Sequence, residues 1–118
     1  MKIFTIASLK GGSGKTTLSI FLAQTFVSKG LKVLLIDLDH NNNSTTYSLR
    51  ETDPGFDDVD DRNVAHAIIG SKEIEEVIYS SVHGYDVIPA TPSLHSISVD
   101  PYTITNTFNS FERNVRSL

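Results

Sequence analysis

The stretch Lys10–Thr17, KGGSGKTT, decides how the rest of the chain is read. Its glycines, Gly11, Gly12 and Gly14, let the backbone turn with positive φ and bring N–H groups close to an anion. Immediately upstream, Lys2–Ser8 (KIFTIAS) is a β-branched, nearly continuous apolar run, the pattern of a strand buried on both faces. Immediately downstream a helical period begins. Leu18, Phe21, Leu22, Thr25 and Phe26 fall on one face, and Gly30 after Lys29 supplies a stop, so a helix is expected over about Lys15–Lys29. Lys32–Leu38 (KVLLIDL) is a second apolar run, ending in acid. Strand, glycine-rich turn, helix and strand in that order make a βαβ unit, right-handed with parallel strands.

This context turns the G-K-T core into a P-loop. The backbone of Gly11, Gly12, Ser13 and Gly14 is placed to hold phosphate oxygens, and the helix starting at Lys15 aims its N-terminal dipole at the same anion. Lys15 reaches the β- and γ-phosphates, the Thr16 hydroxyl is placed to ligate Mg²⁺, and the Thr17 hydroxyl reaches the α-phosphate. A chance Lys-Thr in an ordinary strand-to-helix turn would need motif, strand and helix to coincide by accident. Asp37 and Asp39 stand at the carboxyl end of the second strand, the edge at which open α/β sheets bind ligands. Their spacing of two puts both on one side while the strand persists. One can hold Mg²⁺ through its water shell and the other can orient the attacking water; the bland alternative is a pair of solvated strand-end acids.

Composition sets the outer bounds. The chain has 118 residues, 39% apolar and 20% charged, with no Cys, enough for one core and too little for a second domain. A formal charge of −4 carries no electrostatic footprint of a nucleic-acid binder. Without Cys, a disulfide, a thiolate zinc site and an iron–sulfur ligand are excluded in this stretch. The apolar run Ile3–Leu9 is too short to span a bilayer, and a cytoplasmic location is the default expectation.

Past the second strand, His40–Thr46 reads as a polar loop and Glu51–Arg62 (ETDPGFDDVDDR) as an acidic loop. Asn63–Ile69 and Lys72–Tyr79 read as short helices, and Tyr85–Ile88 as a third strand closed by Pro89 and Pro92. Asp100-Pro101 reads as N-cap and first residue of a last helix, with Ile104, Phe108, Phe111, Val115 and Leu118 as an apolar stripe. The stripe runs on to the last residue and the sheet is thin, so the chain reads as the front part of a larger domain, with core packing against absent strands expected for the stripe. The alternative is a complete small domain with a frayed end. Asp57, Asp58, Asp60 and Asp61 lack the spacing of an EF-hand loop, and His66, His83 and His95 lack that of metal ligands.

K-G-G-S-G-K-T departs from the ordinary P-loop: Leu9 stands where the first Gly would, and Lys10 precedes the paired glycines. It resembles the deviant Walker A motif of the ParA, MinD and nitrogenase-iron-protein group of P-loop ATPases. The resemblance implies that Lys10 crosses an ATP-sandwiched homodimer to touch the partner's phosphates; physics alone equally allows a solvated loop lysine. D-L-D-H-N-N-N-S-T, Asp37–Thr45, is similar to the D-x-D-P-Q-x-N-x-T segment of ParA and Soj proteins. Asp39 is then implied as the water-activating residue, Asn43 and Thr45 match the family's Asn and Thr, and His40 and Asn41 replace its Pro-Gln. The implied fold is a P-loop NTPase, a doubly wound α/β domain with a mainly parallel sheet. Residues 1–118 would be its N-terminal part, ending before the Walker B strand. The implied function is a partition ATPase using ATP and Mg²⁺. It dimerises on nucleotide, binds DNA non-specifically through regions mostly beyond this stretch, and answers to a ParB-like centromere-binding partner. It would be cytoplasmic and nucleoid-associated, with no membrane partner. Two rivals stay open, a MinD-like membrane-surface ATPase and a truncated, non-catalytic nucleotide-binding module.

Overall fold

The computed structural model describes residues 1–6, 14–39, 43–50, 53, 55–91 and 101–118. Helix α1 (Lys15–Ser28) leads to strand β1 (Leu34–Ile36), helix α2 (Asn43–Ser48) and, after a 3₁₀ turn at Phe56–Asp58, helix α3 (Val64–Ile69). A second 3₁₀ turn, Ile74–Val77, precedes strands β2 (Tyr79–Ser80) and β3 (Asp86–Ile88), and helix α4 (Pro101–Arg116) comes last.

The strand order is β1-β3-β2. Leu34, Leu35 and Ile36 pair in parallel with Asp86, Val87 and Ile88, and β2 runs antiparallel to β3. The parallel ladder continues past both ends of β1: Asp86 N–H donates to the Val33 carbonyl at 3.0 Å, and Asp37 N–H to the Ile88 carbonyl at 3.1 Å. Alternation along the strands splits the core into two clusters. Leu34, Ile36 and Ile88 pack with α3 and α4, while Leu35 and Val87 pack with Leu49, Val59, Tyr79 and Phe56. Among the described residues no helix is long and apolar enough to cross a membrane.

Several expectations change. Residues 2–6 of the expected Lys2–Ser8 strand are irregular, and its last two residues lie outside the described residues. Met1, Ile3 and Phe4 are exposed, and among the described residues no strand pairs with this segment. The loop expected over His40–Thr46 contains the start of α2, for which Asp37 supplies the missing N-terminal partner. The helix expected over Lys72–Tyr79 shrinks to the 3₁₀ turn, because Ile78 and Tyr79 are already extended and feed β2.

α1 keeps its predicted length but turns the other face inward. Ile20 and Ala23 are buried, whereas Leu18 and Phe21 are 48% and 62% exposed. The helix is apolar nearly all round, so periodicity fixes its existence and not its orientation. Gly30 ends it as expected with φ 82°. α3 is capped by Asn63, whose Oδ1 accepts from Ala65 N–H at 3.0 Å. In the α4 stripe Phe111 and Val115 are buried in the cluster with α3, so the chain itself covers part of the stripe, while Phe108 and Leu118 are exposed. The Ile104 side chain and Asp100 lie outside the described residues.

Candidate functional site

α1 starts at Lys15 because Gly14 takes the left-handed conformation, φ 85° and ψ 7°, in which a side chain is strained. Leu18 N–H donates to the Gly14 carbonyl at 2.9 Å and closes the first turn. The N–H groups of Lys15, Thr16 and Thr17 therefore have no acceptor within the helix. No side chain caps this end and no acidic residue sits in its first turn. The positive end of the helix dipole at Lys15 suits an anion. Lys10, Gly11, Gly12 and Ser13 lie outside the described residues.

β1 delivers the acids to the same edge. Lys15 Nζ lies 3.2 Å from Asp39 Oδ2, with the two side chains 30% and 23% exposed. A cation and a carboxylate read from separate motifs thus stand together at the head of α1.

Asp37 has a different setting. It is 4% exposed, and its carboxylate accepts three hydrogen bonds: Asp39 N–H to Oδ1 at 3.0 Å, and Thr45 N–H and Thr45 Oγ1–H to Oδ2 at 2.9 and 2.7 Å. Thr45 Oγ1 in turn accepts from Ala90 N–H at 2.8 Å. Thr45, 3% exposed, ties the ends of β1 and β3 to the first turn of α2. Sequence patterning gave no sign of this linkage, since its partners lie 8 and 45 residues away.

A second linkage steadies α2 from outside. Tyr47 stacks on His83 with ring centroids 4.6 Å apart, and Gln24 of α1 donates to the Tyr47 hydroxyl at 3.2 Å. His83 is therefore a packing residue. His66 carries a buried Nδ1 without a partner, and His95 lies outside the described residues. Asp57, Asp58, Asp60 and Asp61 are exposed, Asp58 pairs with Arg62 at 3.2 Å, and no group of three metal-capable side chains occurs among the described residues. Asp53 is held below the ordinary carboxylate range, first by the Arg50 guanidinium, which donates at 2.8 and 3.0 Å, and then by the Arg50 backbone N–H.

Comparison with known proteins meets this geometry. The family model described as an AAA domain (AAA_31) matches residues 1–118. The chromosome-partitioning ATPase Soj of Thermus thermophilus is 37% identical over 95 residues, 80% of this chain and 34% of that protein. A plasmid partition protein of Borrelia burgdorferi superposes with a TM-score of 0.80 at 32% identity, over 96% of this chain and 48% of that one. Cobyrinic acid a,c-diamide synthase of Mycobacterium smegmatis, with bound ATP analog and magnesium, superposes with a TM-score of 0.65 at 30% identity, over 76% of this chain and 34% of that one. The chain spans about a third of the length of the curated relatives it matches.

Proposed function

Because the chain belongs to the AAA_31 family of AAA domains and is a P-loop ATPase of the ParA/Soj type in its N-terminal part, we propose that it is the nucleotide-binding portion of a partition ATPase. Residues 1–118 are then the first part of one P-loop domain whose whole protein binds and hydrolyses ATP and dimerises around it. That protein holds DNA without sequence preference in the cytoplasm, on the nucleoid, and is stimulated by a ParB-like partner. The observation that carries this reading is the pairing of Lys15 with Asp39, 3.2 Å apart, at the uncapped head of α1.

The residues fit ATP and Mg²⁺: a helix end with no side-chain cap and no acid in its first turn, a lysine at its first position, and hydroxyl and carboxylate oxygens suited to a hard cation. Bound Mg²⁺ would supply charge neutralisation on the phosphate oxygens. Lys15 meets the β- and γ-phosphates, and the backbone of Gly11, Gly12, Ser13 and Gly14 with the Thr17 hydroxyl holds the rest of the chain of phosphates. Thr16 would ligate the metal, and Asp37 would hold it through a water of its shell. Asp39 orients the attacking water, and Lys10 reaches across the dimer. Catalysis in such a site is positioning plus charge stabilisation.

Lys15→Ala and Lys10→Ala, made in the longest natural form of the chain, test the proposal. Lys15→Ala is expected to abolish ATP binding in calorimetry, and unchanged affinity would remove the assignment. Lys10→Ala is expected to keep ADP affinity while losing ATP-dependent dimerisation in light scattering.

A further inference from the structure

We infer that Thr45 is a positioning residue for the reaction, acting through Asp37 to fix the backbone at Asp39; this rests on the ATPase reading above. Asp37 is nailed to the sheet by its own N–H, which donates to the Ile88 carbonyl at 3.1 Å. From that fixed point its carboxylate reaches forward and takes one bond at each end of the loop, from Asp39 N–H and from Thr45 N–H. The Asp39 amide is therefore tied to a carboxylate anchored at the strand end, which sets the backbone from which the Asp39 side chain, 3.2 Å from Lys15, projects.

What keeps the Asp37 carboxylate in that orientation is the Thr45 hydroxyl. A hydroxyl has one proton to give. Thr45 gives it to Asp37 Oδ2 at 2.7 Å, and Ala90 N–H, donating to Thr45 Oγ1 at 2.8 Å, fixes the rotor so that the proton points there. All three residues are nearly or fully buried, at 4%, 3% and 0% exposure, so water does not substitute for a lost bond. The chain of donors runs from Ala90 through Thr45 to the Asp37 carboxylate, which also accepts from the amide of Asp39. The Thr45 hydroxyl bonds Asp37 and Ala90, and its contribution is to where the acid points.

The test compares Thr45→Val, which keeps the shape and removes the hydroxyl, with Thr45→Ser, which keeps the hydroxyl, in the longest natural form. With Mg–ATP, Thr45→Val is expected to lower kcat by roughly tenfold or more while KM moves less than about threefold, since misplacement of a reacting group acts on the chemical step. Thr45→Ser should restore most of kcat. A generic structural defect would move KM and kcat together and would spare neither variant. Amide hydrogen exchange gives a readout on the wild type alone: Asp39 and Ala90 N–H should be strongly protected without nucleotide. An active wild type whose Thr45→Val variant turns over equally, or a wild type with unprotected Asp39 and Ala90 amides, overturns the role of Thr45. A wild type that neither binds nor hydrolyses Mg–ATP, with both amides protected, overturns the ATPase reading and with it the link to the reaction.

Discussion

Asp39→Asn removes the charge facing Lys15 while keeping the size of the side chain. At the observed 3.2 Å, Coulomb attraction between unit charges is about 1.3 kcal/mol in the dielectric of water and about 5 kcal/mol at an effective dielectric near 20. Both side chains still meet solvent, at 30% and 23% exposure. Pairs of that kind contribute about 0.5 to 1 kcal/mol once side-chain ordering and screening are included. A phosphate that takes Lys15 has to displace the Asp39 carboxylate, so that quantity opposes binding in the unsubstituted chain. Asp39→Asn is therefore expected to bind Mg–ADP about two- to fivefold more tightly. ADP is the suitable probe because it engages the lysine and cannot be turned over. Calorimetry at about 0.1 M and about 1 M salt separates the cause, because the screening length falls from roughly 10 to 3 Å and the two proteins should converge. Equal or weaker binding by Asp39→Asn at the lower salt would refute the idea that the pair competes with phosphate.

Two further outcomes follow from the scaffold. Asn63 is fully buried, caps α3 and donates to the carbonyls of Val59 and Asp60 at 2.8 and 3.2 Å; Asn63→Ala should cost about 1 to 3 kcal/mol in urea unfolding at an unchanged slope. Asp53 has its carboxyl value lowered by Arg50, so its contribution is fully present above the unfolded value of about 3.9 and is lost as pH falls through the lower folded value. Asp53→Asn should therefore be less stable at pH 7, with the difference closing in strong acid. A difference that did not change with pH would exclude the ion pair as its source.

The start of α1 is legible because it has local reasons, a glycine for the turn at Gly14 and a helical period beginning at Lys15, and needs no distant partner to be recognised. β1 and β3 were legible as apolar runs for the same reason. α2 was not: NSTTYS has no helical period and low intrinsic propensity, and a carboxylate from outside the helix, Asp37, completes its first turn. Nor was β2, only two residues long and half of it a Tyr that had been read into a helix. The inward face of α1 failed for a third reason. Leu18, Ile20, Phe21, Leu22 and Ala23 leave hardly a polar side, so only the position of neighbouring elements decides that Ile20 and Ala23 go in. Within the site, sequence placed Asp37 and Asp39 on one edge but could not separate a half-exposed acid beside Lys15 from a buried one gripping Thr45.

The register that pairs Leu34 with Asp86 also sets a timetable. The two strands are roughly fifty residues apart, and contacts that close so long a stretch form late. α1 needs no such closure. At a synthesis rate of about 5 to 20 residues per second, Lys15 leaves the ribosome several seconds before β3 has been made. During that interval the nascent chain carries the phosphate-directed lysine without the strand that nails Asp37 in place, or the Ala90 amide that orients Thr45. The cradle is translated first and the acids are locked onto it afterwards, so the contact between Lys15 and Asp39 belongs only to a chain whose sheet has closed.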